Sequence, residues 1–183
     1  TDPCAKTFTR TFIAFDACNN NTQVTQVITI SDTTPPVISG VLTGYTIEGC
    51  SETDKPAAET SVADLIALQL ILDPGGTPLS IIDNCTDLAD LEITDVDDVL
   101  VSKDSCPIII ARRYTIEDAC GNPVTLPQVI VIQDSTAPAA TTTTYTDTTV
   151  YNYCKADALA NVPIWTEANA ILGYTDNCGA AVT

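Results

Sequence analysis

Histidine is absent from this chain, and its 7 lysines and arginines face 24 aspartates and glutamates, for a formal net charge of −17. Without an imidazole there is no histidine ligand for zinc and no ready base to activate a thiolate or a hydroxyl. The scarcity of cations excludes the Lys/Arg clusters that nucleic acid and anionic membrane surfaces require, and it favours divalent cations as partners. Although 45% of residues are hydrophobic, no run reaches the roughly 18 apolar residues that would span a bilayer. No basic-then-apolar leader opens the chain, so the expectation is a mature or excised soluble segment. A Gly-rich phosphate loop and a nucleophile elbow are also missing. Neighbouring carboxylates such as Glu117 and Asp118 would point to opposite faces of a strand rather than converge in a cleft. The chain is expected not to be an enzyme and to require no cofactor.

What is present is a repeat. Cys106 to Asn122, running on to Asp134-Ser-Thr-Ala-Pro138, restates Cys4 to Asn20, running on to Asp32-Thr-Thr-Pro-Pro36, at a constant offset of 102 residues. A fixed period of this kind marks a chain built by duplicating one unit. Cutting at the Asp-Thr/Ser-Thr-x-Pro segments gives the C-terminal half of a unit (1–36), a complete unit (37–138) and the N-terminal half of another (139–183). A unit of about a hundred residues is an ordinary domain size.

Abundant threonine, boundary prolines and alternation in Val27 to Ser31 and Val129 to Gln133 argue for packed strands. Within the complete unit, Val37 to Glu48 reads as a first strand, Pro78 to Asp83 as a second, Leu91 to Thr94 as a third and Val99 to Val101 as a short fourth. Ile108 to Glu117 and Val124 to Gln133 form a long hairpin, with Gly121 free to take a positive φ in its turn. Ser61 to Leu72 departs from the period of two: it carries good helix formers, Ser61 as N-cap and a Pro74-Gly75-Gly76 stop. Thr166 to Leu172 looks like its shorter counterpart. The fold class expected is all-β, a series of immunoglobulin-like sandwiches with a short helical insertion.

Eight cysteines recur at matching places, which points to disulfides and an oxidising, extracellular compartment. None of them has the spacing of a zinc knuckle. Cys106 and Cys120 bracket a strand whose ends lie about 30 Å apart, so they cannot join each other. If the strands alternate up and down, Cys50 meets Cys106 at one pole and Cys85 meets Cys120 at the other. Cys4, Cys18, Cys154 and Cys178 then find partners in adjacent repeats or chains. In a head-to-tail polymer of this chain, Cys154 would pair with Cys4 and Cys178 with Cys18.

Arg10 to Thr22, then Gln26 to Val37, resembles the hyalin-repeat-like, immunoglobulin-like modules of very large surface proteins of Bacteroidota, most of all the arrays of gliding-motility adhesins exported by the type IX system. Tyr114 to Asn122 repeats the same string, and Thr46 to Cys50 and Asp83 to Cys85 match the other cysteine positions. The chain departs from the commoner pattern at Val124 and Thr125, where many relatives carry another cysteine, and in the length of its helical insertion. The resemblance implies a structural repeat of a secreted cell-surface adhesin or filament, a stiff disulfide-stapled stalk for adhesion or gliding. Its partners would be neighbouring repeats and a surface or polysaccharide ligand. The alternative is a carbohydrate-binding accessory module of a secreted enzyme, for which a strip of aromatics around Trp165 would speak.

Three sets of residues are candidate sites. Asp32, Asp118 and Asn122 converge at a module junction in this reading and are candidate calcium ligands, since calcium takes six to eight oxygens; the same residues also suit turn capping. Asp95, Asp97 and Asp98 read as a solvated acidic loop. Thr33, Ser135 and Thr148 follow aspartate in the pattern that O-glycosylation of this bacterial group resembles, and are candidate sugar attachment points.

Overall fold

The computed structural model describes residues 4–102, 106–140 and 174–179. Within the complete unit, β3 (Val37–Ser39) pairs antiparallel with β5 (Ser80–Ile82), and a larger sheet runs in the order β4 (Tyr45–Glu48), β8 (Pro123–Gln133), β7 (Ile108–Glu117), β6 (Glu92–Ser102). Before the unit, β1 (Ala5–Phe15) and β2 (Asn21–Ser31) make an antiparallel hairpin; after it, β9 (Ala139–Ala140) pairs with β10 (Tyr174–Thr175). The chain is thus mostly strand with one α-helix, α1 (Val62–Leu72), among the described residues. No described helix is long and apolar enough to cross a membrane.

The expected first strand is broken in two. Gly40 takes φ +88 and a Cβ there would lie 2.6 Å from the Pro78 carbonyl oxygen, so glycine lets the chain leave β3 and cross to the other sheet. The crossing segment is held by two buried amides: Gln69 Oε1 accepts from Thr43 N at 2.6 Å and Gln128 Nε2 donates to Thr43 O at 3.0 Å. β4 then lies parallel to β8, Tyr45 opposite Ile130. The third and fourth strands of the sequence reading are instead one strand, β6, interrupted by bulges at Thr94 and Val101. Ser61 caps α1 as expected, its Oγ accepting from Asp64 N at 3.1 Å. The counterpart expected at Thr166 to Leu172 lies outside the described residues.

The core gathers on one face of β7 and β8. Alternation there turns Ile110, Arg112, Tyr114 and Ile116 inward from β7, and Leu126, Gln128, Ile130 and Ile132 inward from β8. Tyr114, Ile116 and Leu126 meet Val62, Leu65 and Leu68 of the helix with Leu79 and Ile81 of β5, while Ile110, Ile130 and Ile132 form a second cluster toward β4. Between the two clusters runs a polar belt. Arg112 is 2% exposed and donates to Asp98 Oδ1 and Oδ2 at 2.8 and 3.0 Å, and to the carbonyls of Pro56 and Ala57. Lys55 joins the same carboxylate at 2.7 Å. Asp98 is therefore no solvated loop residue. It stands on β6 directly across from Arg112, a bidentate pair whose alignment sequence spacing alone does not show.

The β1–β2 hairpin reproduces β7–β8 residue for residue: Lys6 opposite Ile30 corresponds to Ile108 opposite Ile132, and Phe15 opposite Asn21 to Glu117 opposite Pro123. The register agrees; the surroundings do not. Phe8 and Phe12 are 53% and 54% exposed, whereas their equivalents Ile110 and Tyr114 are 3% and 0% exposed. Val24, Ile30 and Arg10 are likewise exposed where Leu126, Ile132 and Arg112 are buried. The hairpin thus has the register of β7–β8, and the face that is buried there is exposed here. The β9–β10 pair repeats β3–β5 in the same way, Ala139 opposite Thr175 corresponding to Val37 opposite Ile82.

Two outcomes follow for folding experiments. Asp98→Asn leaves Arg112 buried without its counter-charge, and the expected loss in urea unfolding of the chain is about 3 kcal/mol; a change below 0.5 kcal/mol, roughly that of an ordinary surface substitution, would show the pair to be solvated. Placing residues 37–102 ahead of residue 1 supplies the missing front half, so amide exchange across β1 and β2 should slow toward that of β7 and β8; unchanged exchange would mean that the hairpin is not a half-unit.

Candidate functional site: the junctions between units

Each end of the complete unit meets a neighbour, and the chemistry of the chain collects at these two junctions. The first is built around the turn between β7 and β8. Asp118 Oδ1 accepts from Cys120 N and Asn122 N, both at 2.8 Å, and its Oδ2 accepts from Asn122 Nδ2 at 2.7 Å. Gly121, at φ +80, closes the turn. Burial pushes the Asp118 carboxyl up, but the bonds from Asn122 and the turn amides outweigh it and leave the acid below its ordinary value. Asp16 repeats the arrangement with Cys18 and Asn20. Asn122, a candidate calcium ligand, donates its Nδ2 to Asp118 and so serves the turn as well.

Asp32 and Asp118 do come together, as expected, and with them comes Asp83, which the sequence reading missed. One oxygen from each of the three carboxylates lies within 4.8 Å of the others. The Oδ2 atoms of Asp32 and Asp83 are buried with no hydrogen-bond partner in the structure. The other oxygens are engaged: Asp83 Oδ1 accepts from Cys85 N and Thr86 N, and Asp32 Oδ1 from Thr34 N. The clue to Asp83 was available in the repeated Asp-Asn-Cys string at 83–85 and 176–178.

The second junction carries the equivalents. Asp134 and Asp176 approach each other beside Cys178. Glu48, at the end of β4, accepts from Ser135 N at 3.1 Å, from the Ser135 hydroxyl, from Thr136 Oγ1 at 3.0 Å and from Asn177 Nδ2 at 3.2 Å. One carboxylate thus ties the unit to the linker and to the segment beyond it. The bond from the Ser135 hydroxyl, aided by the Ser135 amide, Thr136 and Asn177 against the opposing effect of burial, holds the Glu48 carboxyl at about 2. Of the candidate sugar sites, Thr33 is exposed in the first linker, Ser135 has its hydroxyl engaged by Glu48, and Thr148 lies outside the described residues.

The disulfides overturn both expected pairs. Cys4 joins Cys120 with Cα atoms 5.0 Å apart, and Cys50 joins Cys178 at 4.9 Å. The assignment of poles holds: Cys106 Sγ lies 3.9 Å from Asp134 O beside the end of β4, and Ala119 N donates to Thr86 Oγ1, which puts Cys85 near Cys120. The partners differ because at each pole one of the unit's two cysteines bonds to the neighbouring unit rather than to its pole-mate. Cys4 and Cys178 do find partners in an adjacent repeat, though not Cys154 and Cys18. Cys18, Cys85 and Cys106 carry exposed free thiols; Cys154 lies outside the described residues. Since Cys178 is disulfide-bonded, its sulfur is no thiolate ligand for a metal beside Asp134.

Away from the junctions, an apolar hollow of about 420 Å³ lies beside α1, lined by Ile66, Leu70, Pro74 and Leu88 among others. It holds no cluster of reactive side chains. Comparison of the chain with protein-family models, with curated proteins and with solved structures finds no match.

Two carboxylates, Glu48 at a junction and Asp98 inside the unit, make stability pH-dependent with a definite sign. Glu48 and Asp98, the latter held down first by the hydrogen bonds from Arg112, both sit at about 2 in the folded chain, below their ordinary values of 4.5 and 3.8. A depressed folded pKa contributes stability above the unfolded pKa that is lost as pH falls through the folded one. The urea midpoint should therefore fall as pH drops from about 4.5 to about 2, and Glu48→Gln should remove part of that slope; a flat profile in the parent chain would show that neither carboxylate is held as described.

Proposed function

We propose that this chain is a stretch of a tandem structural repeat in a secreted bacterial surface adhesin or extracellular filament, where serial crosslinked modules form a stiff stalk for adhesion or gliding. The observation that carries the reading is that both described disulfides join one unit to the next, where a small secreted domain usually staples itself. Crosslinks of this kind do little for an isolated module and much for the shape of an array. The strong negative charge, the exposed acidic surface and the disulfides suit an oxidising, extracellular place on the bacterial surface.

Immunoglobulin-like modules are the fold this reading calls for. In support are the two packed layers, the long inward-facing hairpin and the first strand that divides between the sheets. Calcium fits the same picture. Three carboxylates that each bring an oxygen within 4.8 Å of the others repel unless a cation intervenes. The buried, unpartnered oxygens of Asp32 and Asp83 come from two successive units, so an ion between them would stiffen the linker. A sugar on Thr33 would extend from the first linker; Ser135 would have to release Glu48 first. A carbohydrate-binding module is the weaker reading. Trp165 lies outside the described residues, and the exposed Phe8, Phe12 and Tyr174 occupy positions equivalent to the core residues Ile110, Tyr114 and Ile81, which explains them as uncovered core.

Electron microscopy of polymers of residues 37–138 tests the stalk. Rods whose length grows in proportion to the number of units, and which bend after reduction, are expected; flexible beads in both states would remove the stalk. Adding calcium should raise the thermal midpoint of the same polymers, with Asp83→Asn cancelling most of the rise. A midpoint indifferent to calcium would take the ion out of the reading while leaving the rods in place.

A further inference from the structure

The two described disulfides are of different kinds. Cys4 is the repeat equivalent of Cys106, so the Cys4–Cys120 bond joins the 106 position of one unit to the 120 position of the next. Cys178 is the equivalent of Cys85, so the Cys50–Cys178 bond joins the 50 position of one unit to the 85 position of the next. Each kind is seen once, at a different junction. We infer that every junction in an array of these units is closed by both: Cys106 of one unit to Cys120 of the next, and Cys50 of one unit to Cys85 of the next. The inference rests on the tandem-array reading and adds the connectivity to it.

The free thiols fit this rule without exception among the described residues. Cys106 would bond to the 120 position of a following unit, Cys85 to the 50 position of a preceding unit and Cys18 to the 106 position of a preceding unit. None of those three partner positions falls within residues 1–183. All three thiols are exposed, and each is the repeat equivalent of a cysteine that is bonded elsewhere in the chain: Cys106 of Cys4, Cys18 of Cys120, Cys85 of Cys178.

Geometry at the two junctions agrees. At the first, Asn84 Nδ2 reaches Asp32 Oδ1 at 3.5 Å and Thr34 N donates to Asp32 Oδ1 at 3.0 Å; at the second, Thr136 N donates to Asp134 Oδ1, also at 3.0 Å. Asp32 and Asp83 approach each other as Asp134 and Asp176 do. Cys85 therefore stands against the first linker as Cys178 stands against the second, and Cys106 beside Asp134 as Cys4 stands beside Asp32. Each junction presents the half of the arrangement that the other lacks.

Each new bond forms from two thiols, which lose two protons and two electrons. The acceptor is a disulfide oxidant, reduced to two thiols by exchange through a mixed disulfide. Oxidised glutathione serves in the test.

A second copy of residues 37–138 inserted between Pro138 and Ala139 creates one complete junction. After oxidation, mapping of non-reduced peptides should find Cys106 of the first copy bonded to Cys120 of the second, and Cys50 of the first bonded to Cys85 of the second. The number of alkylatable thiols should equal that of the parent chain, although four cysteines have been added. Cys120→Ser in the second copy should return one thiol, at Cys106 of the first. Bonds between pole-mates within one copy, Cys50 to Cys106 or Cys85 to Cys120, would overturn the rule, as would unbonded cysteines at the new junction. Should the inserted copy fail to fold, residues 37–102 placed ahead of residue 1 supply a 50-position cysteine for the first junction; alkylation of Cys85 should then be lost, and its persistence counts against the rule. Correct bonds in a polymer that is flexible in the microscope would refute the stalk and spare the connectivity.

Discussion

The inward face of the β7–β8 hairpin is the constraint on which the rest of the unit depends. Two long antiparallel strands bring Ile110, Tyr114, Ile116, Leu126, Ile130 and Ile132 onto one surface, and a two-stranded ribbon cannot bury such a surface against itself. The helix, β5 and the divided first strand are its cover. Every large side chain so covered removes water from apolar area worth about 25 cal/mol per Å². The β1–β2 hairpin presents the same face, in the same register, without a cover. The chain therefore displays the two states of one building block side by side.

Arg112 gives that face its specificity. A continuous apolar stripe would tolerate sliding of the cover, since dispersion and water exclusion are not directional. A guanidinium in the middle of the stripe, with Asp98 on one side and the Pro56 and Ala57 carbonyls on the other, permits one register of β6 and one path for the segment before α1. Gln128, across from Arg112, fixes the crossing segment at Thr43. A buried charge is costly if left unpaired, so any slippage carries a penalty that an apolar residue at position 112 would not impose. Arg10 holds the equivalent place on the bare hairpin, where its guanidinium rests 6.0 Å from the Phe12 ring.

Local structure was largely legible from residues because it depends on local causes. Alternation placed the hairpin, and Ser61 and Pro74 placed the helix. What was not legible depends on which neighbour a residue meets. Gly40 alone does not announce that the chain changes sheets; that requires knowing that Pro78 lies against it. Asp98 looks like one acid among three until Arg112 is set opposite. The cysteines are the clearest case. Strand polarity sorted them correctly between the two poles, yet a pole holds the unit's own two cysteines and the neighbour's as well. Spacing within one unit cannot choose among them. The choice was encoded in the repeat, in the equivalence of Cys4 with Cys106 and of Cys178 with Cys85.

The connectivity inferred for the junctions changes how such an array would carry load. Cys120 and Cys106 stand at opposite ends of β7, so bonds from Cys120 to the preceding unit and from Cys106 to the following one make β7 a link in a second covalent path. This path runs from unit to unit beside the backbone itself. A strand already rises about 3.3 Å per residue, close to the limit of an extended chain, so the link has almost no slack to release under tension. The Cys50 to Cys85 bonds would add a second connection, from the end of β4 in one unit to the end of β5 in the next, which would resist bending where the first resists extension. Unfolding a unit by force would then require breaking sulfur bonds before the Arg112 belt or the apolar core is exposed. In such an array the core could remain small, since it would specify the fold while covalent bonds carried the pull.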